Sequence, residues 1–314
     1  MKNKSYLLLA TAAAIALPAS AQVVYAPKGE PAKYVAPHKP HTKLADLKSK
    51  HAGQAAWREL IVDDEHLRSE YISSAPGEKV AKRLHPDTRE WWVVMDGQIR
   101  FEIEGQQPFV ASKGSMVQVP MQTVYSMETV GNTPALRFET NIAGAKTLYL
   151  SQADTPTLPG LKFVPVRFMR QPGVWLHDNK PHVSFDETAK GLDEGRLKGT
   201  VRIVQDDRGT ANFIYGREKS LGPIDPNNKG HYHPEGAEYW LIMAGQIRYP
   251  IENVGVVIAN VGDVVYVPKY TFHAPRWYGE APACRLAMNG YPNICHLFED
   301  TGAPPTPKKR PSGN

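Results

Sequence analysis

Cysteine is scarce: Cys284 and Cys295 are the whole supply in 314 residues. Neither has a second cysteine at zinc-site spacing, which excludes a thiolate metal centre. Two readings of the pair stay open: a disulfide tying the last strand to the C-terminal segment in an oxidising compartment, or two buried thiols. Helical periodicity is also scarce. One short helix is expected within HTKLADLKSKHAGQAAW, and the rest of the chain does not support a helical bundle. Beyond the N-terminal segment no run is long and apolar enough to span a bilayer. A strong basic field is missing too. The formal charge is +5, and two of those charges, Lys2 and Lys4, lie in a segment expected to be removed. The one basic run, PKKRP, sits in a Pro- and Gly-containing tail, 299–314, read as solvated and disordered. Without a basic stripe interleaved with aromatics, nucleic acid is not an expected partner.

What is present begins with MKNKSYLLLATAAAIALPASAQ. A short basic start, a brief apolar stretch and Ala19-Ser20-Ala21 as a small-residue cleavage site predict a secretory signal peptide over 1–21. Pro18 interrupts the apolar run, which weighs against a membrane anchor, and no cysteine follows the cleavage site to carry a lipid. The mature protein is therefore expected in the periplasm or outside the cell, free of the membrane.

The chain also repeats itself. RLHPDTREWWVVMDGQIRF, from Arg83, and HYHPEGAEYWLIMAGQIRY, from His231, align at an offset of 148 residues, with 11 identities in the 22 positions from Arg83 to Glu104. The register continues without a gap through Gly114 and Gly262, Pro120 and Pro268, Arg137 and Arg285, Asn141 and Asn289. This is an internal duplication. Its units are placed at 57–150 and 200–298, with an extended Pro-, Lys- and His-rich arm over 22–56 and a Pro-containing connector over 151–199. Within each unit, short stretches of Val, Ile, Tyr, Phe and Trp are punctuated by Gly, Pro, Asn and Asp. That spacing predicts an all-β fold of many short antiparallel strands.

The differences between the repeats point to chemistry. In His231-Tyr232-His233 the two imidazoles lie two apart, so a strand presents both on one face. Glu238 follows after a turn, and His273 comes from a second cluster, GDVVYVPKYTFHAP. Three neutral imidazoles and a carboxylate can hold a divalent transition metal and leave positions for water, substrate or dioxygen.

The pattern H-x-H, four residues, Glu, six residues, Gly, then G-x5-P with a later His resembles the two signature motifs of the cupin superfamily, and the duplication is similar to a bicupin. The resemblance covers both repeats but not the arm, connector or tail. It implies two tandem double-stranded β-helix (cupin jelly-roll) barrels, with His231, His233, Glu238 and His273 as metal ligands in the second. Three positions depart from the family pattern: Asp225 and Tyr270 stand where glycines are usual, and Trp277 where asparagine is common. The expected cofactor is one divalent ion, with copper, zinc, iron, manganese and nickel all open.

Repeat one keeps His85 and Glu90 but has Arg83 and Tyr125 in the other two ligand positions. A guanidinium stays protonated and has no lone pair to give. Repeat one is therefore expected to bind no metal tightly, with Arg83 occupying the vacant centre and offsetting the charge of Glu90. Alternation through Ile247, Tyr249 and Ile251 turns Tyr249 into the second barrel, and similar parity selects Trp277 and Met288 as pocket residues. Three functions remain open: a dioxygenase, with Glu238 accepting a substrate proton; a lyase, isomerase or hydrolase, with Glu238 or Tyr249 moving the proton; or a metal- or ligand-binding protein without turnover. The expected partner is a small oxygenated molecule (enol, phenol or carboxylate), and an edge strand or the arm could support a homodimer.

Overall fold

A computed structural model of the protein describes residues 23–291 and 294–300. The expected leader and nearly all of the tail lie outside the described residues. Each repeat folds into two antiparallel sheets facing one another. In repeat one a six-stranded sheet runs in the order 182–184, 115–119, 90–96, 135–142, 67–74, 57–63. Opposite it lies a five-stranded sheet, 148–149, 79–84, 125–130, 98–103, 109–112. Repeat two has the matching six-stranded sheet, 41–42, 264–267, 238–244, 283–289, 209–216, 201–206. Its second wall is split into 255–259, 246–251, 276–278 and the short pair 231–232 with 297–298. The fold is all-β, two jelly rolls in tandem, with two short α-helices at their edges among the described residues.

The two six-stranded sheets pack against each other, which explains why their central strands are apolar on both faces. In Glu90–Asp96, Trp92 and Val94 point into the first barrel, while Trp91, Val93 and Met95 join the core between repeats. In Ala283–Asn289, Ala283 and Ala287 face the second barrel, whereas Cys284, Leu286 and Met288 face the interface. The interface core carries polar bonds as well. Tyr239 of repeat two shares a 2.7 Å hydrogen bond with the Ser69 hydroxyl of repeat one, and the Tyr71 hydroxyl donates to the Gly262 carbonyl at 2.6 Å. Strands on the outer walls alternate instead: Gln246–Ile251 buries every second side chain, Ile247, Tyr249 and Ile251.

The arm and the connector turn out to be equivalent elements, exchanged between the repeats. His41–Thr42 pairs with Val265 and Val264 of repeat two and leads into helix α1, Leu44–Lys50. His182–Ser184 pairs with Val117, Met116 and Ser115 of repeat one and leads into helix α2, Phe185–Asp193. The two helices are capped differently. The Leu44 N–H at the start of α1 donates to the Asp263 carboxylate of repeat two at 3.1 Å, while α2 is capped locally by the Ser184 hydroxyl. Each helix entry also lies on a glycine of the opposite repeat. A Cβ on Gly262 would stand 2.3 Å from the Leu44 side chain, and one on Gly114 3.1 Å from Phe185 Cβ, with both glycines at positive φ, +84 and +85. Gly262→Ala is therefore expected to destabilise the protein by about 1–3 kcal/mol, measured by urea denaturation, and more than Gly114→Ala. The exchange thus uses His41–Thr42 of the arm as an edge strand of repeat two within the chain.

Candidate metal centre

Gly230 sets the entry of the HxH strand. It has φ +81, and a Cβ there would lie 2.0 Å from the His273 carbonyl oxygen. Only glycine permits so close an approach. It lets the backbones of His231 and His273 exchange hydrogen bonds, His231 N–H to His273 O at 3.1 Å and His273 N–H to His231 O at 2.9 Å. Pairing of His231–Tyr232 with Leu297–Phe298 holds the other side of the strand. Glu238 begins the next strand along the chain, 238–244 of the six-stranded sheet, between Val267 and Asn289. One ligand atom from each of His231, His233, Glu238 and His273 lies within 4.8 Å of the others.

The donor chemistry fits a metal. His233 Nδ1 lies 2.6 Å from the Cys295 carbonyl and His273 Nδ1 3.0 Å from the Thr271 carbonyl. A proton on each Nδ1 donates to those carbonyls and turns Nε2 toward the centre, where that of His233 lies 3.0 Å from Glu238. The Nε2 atoms of His231 and His273 are buried with no hydrogen-bond partner among the described residues. Such an orphan is costly unless something occupies the centre. Burial lowers the pKa of His231, and His273 and His233 lower it further, so this imidazole is held neutral. Burial lowers His273 as well. Burial would raise Glu238, but the imidazoles of His233, at 3.0 Å, and His273, at 3.4 Å, outweigh it and hold the carboxylate well below its ordinary range.

The equivalent positions of repeat one converge in the same way but satisfy one another. His85 Nε2 lies 3.0 Å from Glu90, Arg83 Nε donates to the Tyr125 hydroxyl at 2.6 Å, and Tyr125 donates to Glu90. Arg83 Nη2 stands 3.5 Å from the same carboxylate oxygen of Glu90. The guanidinium and the phenol thus fill the space that ligands would leave open. Burial would raise the Glu90 pKa, but His85 and Arg83 hold it down at about 2, from an ordinary value of 4.5. A depressed carboxylate contributes stability that is present above its unfolded value and lost as pH falls toward its folded value. The stability difference between wild type and Glu90→Gln is accordingly expected to shrink between about pH 4.5 and pH 2 in denaturation curves.

Both repeats, at residues 71–139 and 221–288, match the Cupin domain family. The chain is a bicupin. Among solved structures, the bicupin is similar in fold to a variant of salicylate 1,2-dioxygenase from Pseudoaminobacter salicylatoxidans, with 13% identity and TM-score 0.61 over 91% of this chain and 92% of that one. A second variant of that enzyme, in complex with gentisate, gives 12% identity and TM-score 0.60 over 83% and 85%. Oxalate decarboxylase from Bacillus subtilis gives 15% identity and TM-score 0.50 over 84% and 80%. A mannose-1-phosphate guanylyltransferase of Salmonella typhimurium is 32% identical over 63 residues, a stretch covering 20% of the bicupin and 13% of that protein.

The other residues singled out in the sequence divide. Tyr249 is fully buried in the second barrel, its ring 5.0 Å from that of Trp240, and its hydroxyl has no partner among the described residues. Burial pushes its pKa up, which keeps the hydroxyl protonated. Trp277 packs on the same core with its indole N–H unpartnered. Met288 is misplaced by the sequence reading: its sulfur lies 4.0 Å from the Thr140 hydroxyl of repeat one, in the interface core and outside the barrel. Its strand is buried on both faces, so alternation there separates the two faces without telling which one is the barrel. The two cysteines are not joined, because Cys284 faces the interface while Cys295 lies behind His233. The sequence reading passed over His296, whose ring centroid lies 4.7 Å from those of His231 and His233. It falls outside both signature motifs, and the signal for it is its place on the segment paired with the HxH strand.

Proposed function

We propose that the second barrel is the active centre of a metal-dependent oxidoreductase of dioxygenase type, acting on a small oxygenated substrate. The observation that carries this reading is the complete set of three imidazoles and a carboxylate, two of its nitrogens buried without partners, in one barrel of a pair whose other barrel has lost it. A divalent transition metal bound there supplies a Lewis-acid and redox centre able to hold an electron-rich oxygen ligand beside dioxygen.

The chain's own residues supply the rest. His231, His233 and His273 hold their lone pairs inward, and Glu238, ionised and next to the centre, accepts the proton of a substrate hydroxyl. Trp240, Tyr249 and Ile251 pack together in the core of this barrel, with the Trp240 ring 5.2 Å from that of His273. The likeness to salicylate 1,2-dioxygenase supports the choice of an aromatic hydroxy acid as first substrate to test. The leader-like residues 1–21 support a site of action outside the cytoplasm.

The test is oxygen uptake on adding salicylate or gentisate to protein of known metal content, with His273→Ala as control. Uptake that is lost in the variant supports the reading. Carbon dioxide release from oxalate without oxygen uptake would move the protein to the lyases. Bound metal with no turnover of these acids would leave a binding protein.

A further inference from the structure

Arg137 and Arg285 occupy the same register position in the two repeats, on strands running along the barrel walls. Their surroundings differ. In the first barrel Arg137 donates from Nε to Glu139 at 3.1 Å and from Nη1 to the Ser74 hydroxyl at 2.8 Å. The Trp92 indole donates to the same Glu139 oxygen at 2.9 Å, and Arg83 Nη2 stands 4.0 Å from the other. The Glu139 carboxylate therefore lies between Arg137 and the centre of the degenerate site.

In the second barrel both partners are gone. Glu139 is replaced by Ala287 and Ser74 by Gly216, whose hydrogen faces the Trp277 indole so closely that a Cβ would lie 2.5 Å from it. Trp240, the counterpart of Trp92, pairs across the sheet with Ala287. Arg285 keeps its place on the barrel face, beside Ala283 and Ala287, with 9% of its surface exposed. It makes no ion pair and no side-chain hydrogen bond among the described residues, and its buried Nε is unpartnered, like the Tyr249 hydroxyl and the Trp277 indole N–H. A buried guanidinium without a counter-ion is strongly unfavourable. Glu238, the carboxylate of the ligand set in this barrel, is already engaged by His233 and His273.

We infer that Arg285 is a carboxylate-binding residue of the second barrel, and that the substrate of this bicupin is an organic acid whose carboxylate takes the place Glu139 holds in the first. Repeat one carries its own anion, and repeat two receives it with the substrate. Guanidinium binds carboxylate through parallel N–H donors. The Tyr249 hydroxyl, also buried without a partner among the described residues, is a further O–H in the same barrel. The position also fits turnover. In repeat one the equivalent carboxylate neighbours Arg83, whose counterpart is the ligand His231, so an acid seated on Arg285 presents its remaining atoms to the metal centre.

This inference rests on reading the second barrel as the active centre, and its test is separable from that reading. Glutamate exceeds alanine by an acetate-sized fragment, so acetate is the first probe and acetamide its neutral isostere. Thermal melting of the mature protein is followed with each, with and without one equivalent of zinc. Acetate is expected to raise the melting temperature and acetamide not to. Arg285→Gln should weaken acetate binding at least about ten-fold, the loss of one charge-assisted hydrogen bond. Ala287→Glu should abolish it while raising the melting temperature of the free protein, because it restores the pair of repeat one. Equal shifts from acetate and acetamide in the wild type would overturn the inference without any variant. So would an acetate shift that survives Arg285→Gln. An acetate shift in protein that takes up no zinc would sustain the subsite and sink the metal centre. Zinc uptake with no acetate shift would do the reverse.

Discussion

Protein carrying His233→Ala is expected to fold and to lose its metal. His233 is 2% exposed, and its ring is fixed from behind by the Cys295 carbonyl at 2.6 Å, so its Nε2 is aimed before any ion arrives. Alanine removes a ligand and also one of the hydrogen bonds that stabilise the Glu238 carboxylate. Replacing a residue that merely orients a ligand costs 10- to 100-fold in metal affinity, so removal of the ligand should cost at least about 100-fold. The metal-free variant is also expected to be less stable by about 3 kcal/mol, since a buried carboxylate has lost a partner. Elemental analysis and denaturation separate the two effects. His85→Ala in repeat one is the control and should leave metal content at the wild-type value. Unchanged metal in His233→Ala would place the ion elsewhere.

Installing the two missing ligands, Arg83→His with Tyr125→His, is expected to raise metal content from one equivalent to two. The backbone is ready for it: Arg83 pairs with Tyr125 as His231 bridges His273, and His85 and Glu90 already lie 3.0 Å apart. What stands in the way is chemical, a cation that cannot ligate and a phenol that donates to Glu90. Arg83→Ala alone removes the cation without supplying a ligand, and should destabilise the protein by about 3 kcal/mol by leaving Glu90 with fewer partners. Dialysis against zinc followed by elemental analysis gives the stoichiometry. If the double variant still binds one equivalent, repeat one differs from repeat two in more than its ligands.

Much of this site can be read from the chain because its chemistry is local. Two histidines at i and i+2, a glutamate five residues on and a glycine at the next turn are close neighbours in the chain, so spacing alone makes the set recognisable. The 148-residue register then assigns each ligand a counterpart, and an arginine in a ligand position shows which barrel can hold metal. Tyr249 was legible for a similar reason: its strand has one buried face, so alternation has one meaning.

Where both faces of a strand are buried, alternation no longer decides. That ambiguity sent Met288 to the pocket, when the same strand presents Arg285 to the barrel and Met288 to the other repeat. The exchange of His41–Thr42 and His182–Ser184 between repeats was hidden as well, because a two- or three-residue strand is chosen by the sheet edge it meets. His296 reaches the centre through a pairing 65 residues from His231, beyond any motif. Residue identity and spacing set what each barrel can ligate. Which charges are left without partners depends on which side chains face each other between the sheets, since a buried charge is balanced by spatial neighbours rather than by neighbours in the chain.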